Sequence, residues 1–238
     1  MIRAHMATYP RRRELLERAL RSIAPQVDRV FLVLNEYDAV PDAVAGIANV
    51  EPILPDSDLK DVGKFLTSPA ADDHVVFVDD DLIYPAGFVA GMIAAAEGIG
   101  LDRGVFGYHG SIYTDIEQRG AMGREVHALY RKLSATTGVD QLATCAMLAL
   151  GRNVAPFDYM AGSQKFVDVR YARWLHAQGI DSWCLAHPRR FVEEMRVSEG
   201  KHETIYKSFT VRSPDHVVAE IQEFAGKGRF VGLVRQAA

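Results

Sequence analysis

Cysteine is nearly absent from this 238-residue chain, which contains only Cys145 and Cys184. Two cysteines so far apart match no zinc-site spacing and no disulfide framework, and they favour a reducing, cytoplasmic setting over a secreted one. The chain also lacks any run that approaches the ~20 apolar residues of a membrane-spanning helix. Its first ten residues do not have the shape of a signal peptide. We therefore expect a cytoplasmic protein without a transmembrane segment, and peripheral association with the inner face of the membrane stays open.

An excess of positive charge is missing as well. The 27 lysines and arginines are outnumbered by 31 acidic residues, which gives a net charge of −4. This balance gives no indication of general affinity for nucleic acid, so we expect no nucleic-acid partner. Basic residues are nevertheless clustered locally, at Arg11-Arg12-Arg13 and at Arg189-Arg190. Such clusters are typical of solvated helix ends and loops.

The order of apolar runs and helix signals predicts an α/β fold. Predicted strands cover residues 2–7, 30–34, 50–54, 74–78, 104–108, 141–150 and 182–186. Predicted helices alternate with them, which implies a mostly parallel sheet with right-handed crossovers. Between residues 111 and 140 the pattern is lost, and we expect a long loop with a helix near 125–133. No linker is visible, so we expect one domain over residues 1–238, with a Rossmann-like central sheet flanked by helices.

Three consecutive carboxylates, Asp79, Asp80 and Asp81, follow the apolar run 74–78. Such a run predicts a strand that is buried on both faces. Since strand residues alternate sides, Asp79 and Asp81 point one way and Asp80 the other. Adjacent acids repel one another unless a cation is present, and oxygen ligands suit Mg²⁺ or Mn²⁺. Ligands of open α/β sheets bind beyond the carboxyl ends of strands, so we expect a metal site for an anionic substrate. A solvated acidic turn is the alternative.

Further candidate residues follow other predicted elements. The first strand runs into Thr8-Tyr9-Pro10-Arg11, a helix N-terminus with a nearby arginine that would attract phosphate. Asn35 ends the second strand, and Lys64 precedes the fourth, where it could meet a phosphate or a base carbonyl. Asp168 begins a later helix, either as a catalytic base or as a helix N-terminal charge.

Taken in order, these motifs resemble glycosyltransferases with the A-type fold. The segment 76–85, Val-Phe-Val-Asp-Asp-Asp-Leu-Ile-Tyr-Pro, resembles their acidic DXD motif, and residues 7–12 are similar to the start of family 2-type members. Residues 62–65, 108–110 and 166–169 resemble one bacterial branch that is associated with capsule or lipopolysaccharide assembly. Residues 139–145 depart from the Gly-Thr-Gly-like turn of many relatives.

The resemblance implies an enzyme that transfers a sugar, of the hexosyltransferase type and inverting. It implies a nucleotide-sugar donor (UDP- or GDP-sugar), a carbohydrate or glycolipid acceptor, and Mn²⁺ or Mg²⁺ as cofactor. Residues 1–100 would form the donor half and residues 101–238 the acceptor half. Asp168 would be the catalytic base. The residues implied around the donor are Thr8, Tyr9, Arg11, Asn35, Lys64, Asp79 and Asp80. The implied metal ligands are Asp81, Asp79 and His202.

Two other functions remain open from the sequence. One is a catalytically inactive protein that binds a sugar nucleotide. The other is a phosphatase whose nucleophile lies in an Asp-x-Asp strand end, although such enzymes place that motif on their first strand and about eighty residues precede it here.

Overall fold

Thirteen strands and six helices are present in the structure, a computed structural model that describes residues 1–115, 123–195 and 213–227. The strands are β1 (Ile2–Thr8), β2 (Arg29–Leu34), β3 (Val50–Ile53), β4 (His74–Val78), β5 (Leu82–Ile83), β6 (Gly104–Gly107), β7 (Gly110–Asp115), β8 (Gly123–His127), β9 (Thr137–Gly138), β10 (Gln141–Leu142), β11 (Ala146–Leu150), β12 (Asp181–Cys184) and β13 (Glu193–Glu194). The helices are α1 (Arg13–Ile23), α2 (Asp42–Ala45), α3 (Phe88–Glu97), α4 (Phe157–Met160), α5 (Val167–Gln178) and α6 (Asp215–Phe224). Short 3-10 turns cover Pro10–Arg12, Ala24–Gln26, Lys60–Phe65 and Gly151–Asn153.

The central sheet has eight strands in the order β3-β2-β1-β4-β11-β6-β12-β9. Strand β1 pairs in parallel with β2 and β4, β2 with β3, and β6 with β12. Only β11 and β9 run against the common direction of this sheet. The predicted α/β fold with a mostly parallel central sheet flanked by helices is thus confirmed.

The register of the parallel strands brings their carboxyl ends to one edge of the sheet. In β1, His5 is paired with Phe31 of β2 and with Phe77 of β4, and Thr8 is paired with Leu34. Continued by three residues, the same register sets Thr8 level with Asp80. The ends of the first, second and fourth strands therefore present their side chains to the same space.

Strand β4 has a hydrophobic layer on each side because its residues alternate between two clusters. Val76 and Val78 join the cluster that contains the apolar face of α1. Val75 and Phe77 join the second cluster, which contains Tyr171 of α5. All four residues of β4 named here are fully buried. Burial of each such side chain contributes about 1.5–3 kcal/mol, which fixes the strand that carries the three acids.

Two predictions for the second half of the chain are wrong. The expected loop and helix over 111–140 are replaced by an antiparallel hairpin of β7 and β8, whose connecting residues 116–122 lie outside the described residues. Strand β8 has little apolar character (Gly-Arg-Glu-Val-His) and depends on pairing with its partner, a contact that no local pattern reveals. The single strand predicted over 141–150 is divided into β10 and β11 by a turn at residues 143–145.

Among the residues that the structure describes, no helix has both the length and the apolar character needed to cross a membrane.

Candidate functional site

The carboxylate of Asp80 is buried at the edge of the sheet and serves as an anchor for the start of the chain. Its Oδ2 accepts a hydrogen bond from the Thr8 hydroxyl at 2.6 Å, and its Oδ1 accepts one from the Arg12 guanidinium at 2.5 Å. The same guanidinium lies 3.0 Å from Oδ2 of Asp81. Burial raises the pKa of Asp80, and the charge of Arg12 and the Thr8 hydroxyl oppose that rise. Arg12 therefore neutralises much of the charge of two neighbouring acids.

Asp79 forms an ion pair with the ammonium group of Lys64, which is itself buried. Lys64 also donates to the carbonyl oxygen of Thr144 at 2.8 Å. Burial alone would lower the pKa of Lys64, but the adjacent charge of Asp79 raises it above its usual value. Lys64 therefore stays charged, and it joins Asp79, which follows β4, to the turn at residues 143–145.

Tyr84 makes a second connection between Asp79 and the turn at residues 143–145. Its hydroxyl accepts a hydrogen bond from the backbone N–H of Asp79 at 2.8 Å and donates one to the carbonyl of Cys145 at 2.7 Å. The ring is buried and packs 4.9 Å from the ring of Phe88. The position of the acidic segment relative to the 143–145 turn is therefore fixed by two independent contacts, through Lys64 and through Tyr84.

Asp168 lies in the first turn of α5 and is oriented by Thr144. Both the backbone N–H and the hydroxyl of Thr144 donate to Oδ1 of Asp168, each at 2.8 Å. Burial raises the pKa of Asp168, while these two hydrogen bonds and the charge of Lys64 oppose the rise. A carboxylate with a raised pKa and one oxygen free of these bonds is suited to accept a proton.

The surroundings of Asp81 disfavour its ionised form. Burial and then the charge of Asp79 raise the pKa of Asp81 to about 7, although Arg12 opposes them. Within the described residues, the ion pairs of the three consecutive acids are formed with two cations, Arg12 and Lys64. When all three acids are ionised, their charge exceeds that of the two cations, so a further cation would be stabilised here.

Asp79 and Asp81 have oxygen ligands of the kind that divalent ions such as Mg²⁺ take. Among the described residues, no group of three or more His, Cys, Asp and Glu side chains could hold a metal ion. Asp79 and Asp81 each have one oxygen paired with a cation, Lys64 or Arg12, and a second oxygen to offer, whereas both oxygens of Asp80 are engaged. Mg²⁺ is commonly held by one or two carboxylates plus substrate phosphates, so two are sufficient when the phosphate supplies the remaining oxygens. His202, the third predicted ligand, lies outside the described residues.

The remaining predicted donor residues have different positions. Asn35 is buried and braces the 59–60 turn, accepting from the N–H of Leu59 at 2.9 Å and donating to the carbonyl of Lys60 at 3.0 Å. Tyr9 is half-buried, with the Arg12 guanidinium 5.6 Å from its ring centroid. Arg11 is exposed. The arginine that meets the acids is therefore its neighbour, because the 3-10 turn Pro10–Arg12 directs only Arg12 towards the end of β4.

The contacts that position the turn carrying Lys64 were not predicted from the sequence. The Nδ1–H of the buried His5 donates to the carbonyl of Lys64 at 2.7 Å, while its Nε2 accepts from Arg3 at 2.9 Å. Gly63 packs so closely on β2 that an added Cβ would lie 2.8 Å from Cγ1 of Val33. The only sequence signal for this arrangement was the glycine before the lysine, since only a glycine allows such a close approach to the strand.

Comparison with solved structures finds a similar fold in residues 1–349 of TarS from S. aureus, determined in complex with UDP-GlcNAc. The TM-score is 0.57 at 11% sequence identity, and the likeness covers 87% of this chain and 61% of that chain. A second structure of TarS 1–349 matches with a TM-score of 0.46 at 12% identity, over 72% of this chain and 55% of that chain. This chain thus spans less than two thirds of the TarS chains it matches. No protein-family model matches the sequence, and no curated protein does. The first TarS likeness shows that the chain shares its α/β fold with TarS.

Proposed function

We propose that this chain is a glycosyltransferase that moves a sugar from a nucleoside diphosphate sugar to an acceptor hydroxyl. The observation that carries the proposal is the connection of Asp79 to Asp168 through Lys64 and Thr144 at one edge of the sheet. This connection places the acidic segment 79–81, which would be stabilised by a cation, beside the candidate base Asp168. The fold that the chain shares with TarS, whose structure contains UDP-GlcNAc, supports a nucleotide-sugar donor, and we favour a UDP- or GDP-sugar.

The donor half of the proposal rests on charge. Breaking the bond between the anomeric carbon and the diphosphate oxygen leaves negative charge on the diphosphate, and Mn²⁺ or Mg²⁺, when bound, would neutralise it as a Lewis acid. Asp81 and Asp79 would hold that ion. Lys64 and Arg12 are the chain's own cations at this edge, and they limit the repulsion between the acids and an incoming diphosphate. Donor binding should therefore depend on all four side chains.

The acceptor half rests on Asp168. In a direct displacement, the acceptor oxygen forms a bond to the anomeric carbon as the bond to the diphosphate breaks, and the acceptor proton passes to a carboxylate. Both hydrogen bonds from Thr144 end on Oδ1 of Asp168, so Oδ2 is the oxygen we assign to that proton. A single displacement inverts the configuration of the sugar, which is the outcome we propose for a hexosyl donor.

The division of the chain into two halves, the compartment and the acceptor class are also proposals. We propose a donor half at residues 1–100, which contain the predicted donor residues from Thr8 to Asp81, and an acceptor half at residues 101–238, which contain Asp168. Cys145 and Cys184 are both free thiols, and we propose a reducing cytoplasm as their setting. We propose a carbohydrate or glycolipid acceptor and a role in surface polysaccharide or glycan synthesis at the inner face of the membrane.

A donor panel tests this proposal. The full chain would be incubated with UDP-, GDP-, dTDP- and CMP-sugars, with and without Mn²⁺, and both binding and slow release of free sugar would be measured. We expect metal-dependent binding and hydrolysis of one donor class, with hydrolysis lost in Asp168→Asn. Binding without turnover, even with glycan acceptors, would favour the inactive sugar-nucleotide-binding protein. Cleavage of simple phosphate monoesters would favour the phosphatase. No response to any donor would overturn the proposal.

A further inference from the structure

Two neighbouring loops, residues 130–132 and 188–190, expose a group of basic side chains with one aromatic ring. Tyr130 is 52% exposed and is the one aromatic among the large hydrophobic residues that stand out from the described surface. The Arg131 guanidinium lies 5.8 Å from the centroid of its ring. The four exposed cations of the loops are Arg131, Lys132, Arg189 and Arg190. We call these four residues together with Tyr130 the basic surface.

Backbone hydrogen bonds hold the two loops of the basic surface together. Leu133 and His187 exchange two of them, at 3.0 and 2.9 Å, and the N–H of Arg190 donates to the carbonyl of Tyr130 at 3.2 Å. Arg190 has a φ of +57°, a left-handed conformation that is unfavourable for a residue with a side chain. The fold thus keeps a strained residue here, in a geometry that sets the arginines of one loop beside the tyrosine of the other.

The cations of the basic surface are not paired with acids. Within the described residues, none of the four forms an ion pair; some of the other exposed basic residues have carboxylate partners, and others, such as Arg13 and Arg18, do not. The paired examples are Arg21, Arg29, Lys60 and Arg152. Glu193 and Glu194 are the nearest acids along the chain after Arg190, and they too are exposed. The two loops themselves contain four cations and no acid, on a chain whose net charge is −4.

The basic surface is connected to the acceptor side of the candidate site. His187, at the junction of the two loops, is buried and lies with its ring 5.5 Å from the ring of Tyr108 in an edge-on contact. His109 follows Tyr108 in the chain; burial lowers the pKa of His109 to about 4, and the charge of Asp79 opposes that change. The basic surface also lies in residues 101–238, the half of the chain that we propose for the acceptor.

We propose that the basic surface docks this protein on a bilayer that contains anionic lipids. Cations near such a surface are attracted to the headgroups, and an exposed tyrosine is suited to the boundary between headgroups and acyl chains. A nucleic acid would require a positive stripe long enough to follow its backbone, whereas these residues occupy two short loops. Docking on the bilayer does not depend on the proposed reaction. Its consequence, delivery of a lipid-linked acceptor to the site, rests on the proposed function.

Vesicle co-sedimentation of the full chain, without any donor, tests this docking. We expect binding to vesicles of phosphatidylcholine mixed with phosphatidylglycerol, little binding to phosphatidylcholine alone, and a loss of binding as salt rises. Each cation should strengthen binding about fivefold, so replacing all four should weaken it by roughly several hundredfold. The variant carries Arg131→Ala, Lys132→Ala, Arg189→Ala and Arg190→Ala.

A matched control removes the same number of exposed positive charges elsewhere. It carries Arg18→Ala, Arg21→Ala, Arg29→Ala and Arg152→Ala, and we expect it to bind anionic vesicles as the unaltered chain does. Circular dichroism and thermal unfolding establish that both variants are folded, and Tyr130→Ala, which changes no charge, should also weaken binding. Absence of binding by the unaltered chain, equal loss in both quadruple variants, or binding to a duplex oligonucleotide instead of vesicles would overturn the proposal. Because no donor is present, any of these results leaves the outcome of the donor panel unaffected.

Discussion

Thr144 and Asp168 are joined by two hydrogen bonds of 2.8 Å although 24 residues separate them in the chain. Both bonds end on the same carboxylate oxygen, so they hold the side chain in one orientation. Thr144 receives its own position from Lys64, which donates to its carbonyl. Lys64, which pairs with Asp79, therefore also positions the candidate base Asp168 through Thr144.

Replacing Asp168 by Asn should lower donor turnover by about 10²–10⁴-fold, the usual contribution of a general base. The amide retains the shape of the carboxylate but cannot take the acceptor proton, so donor binding should change little. Initial rates and donor affinity measured on the same preparation check this. Thr144→Ser, which preserves both donors to Asp168, is the matched control and should keep most of the rate. Full turnover in Asp168→Asn would remove Asp168 from the reaction.

Thr8→Val should destabilise the fold by about 1–3 kcal/mol, because it leaves the buried carboxylate of Asp80 without one of its donors. Urea unfolding measures the change. Thr8→Ser retains the hydroxyl and should cost less than Thr8→Val. Equal stability of the unaltered chain and Thr8→Val would show that the Thr8–Asp80 contact contributes nothing to holding β1 against the end of β4.

His5 should make the protein sensitive to acid. Burial and the charge of Arg3 lower the pKa of His5 to about 3 from its ordinary 6.5. The unfolded chain therefore takes up the proton first as the pH falls, and this residue should reduce the free energy of unfolding by about 1.4 kcal/mol per pH unit between roughly pH 6 and pH 3. Above pH 6.5 its contribution is fully present.

Denaturant titrations at several pH values between 7 and 4 measure that slope. His5→Gln should show a shallower loss of stability with falling pH than the unaltered chain. The exposed histidine variant His176→Gln is the control and should follow the unaltered chain. A His5→Gln profile parallel to that of the unaltered chain would contradict a buried, neutral His5.

Gly63→Ala should displace the turn that carries Lys64, because its Cβ would lie 2.8 Å from Cγ1 of Val33. We expect a loss of about 1–3 kcal/mol in the free energy of unfolding, as for other overpacked sites. Val33→Ala removes the clashing methyl groups, so the double variant should be more stable than the sum of the two single changes predicts. Additive losses in the double-mutant cycle would mean that this close contact does not position the turn.

The fold was predictable where consecutive residues of the chain are apolar and buried. Strands β2 and β4 were expected at 30–34 and 74–78 and lie within one residue of those bounds, since both are apolar runs covered on both faces. The hairpin of β7 and β8 was not, because its polar strands are held by pairing with each other. No local pattern carries that information.

The site was predictable only in part, for a related reason. The acids after β4 and the lysine after Gly63 could be read from their order in the chain. The choice of Arg12 over Arg11 depends on the direction of a short 3-10 turn. The role of Thr144 depends on a turn that interrupts the predicted strand 141–150 and brings it to α5.

Equilibrium binding of a nucleoside diphosphate sugar, measured by calorimetry with and without Mn²⁺, tests the donor site most directly. The unaltered chain should bind one donor class more tightly when Mn²⁺ is present, and Asp81→Asn should lose that gain while remaining folded. Asp72→Asn, which alters an exposed acid paired with Arg152 at another surface, should preserve it. An unchanged effect of Mn²⁺ in Asp81→Asn, or no donor binding by the unaltered chain, would contradict the assignment of the acidic strand end as the donor diphosphate site.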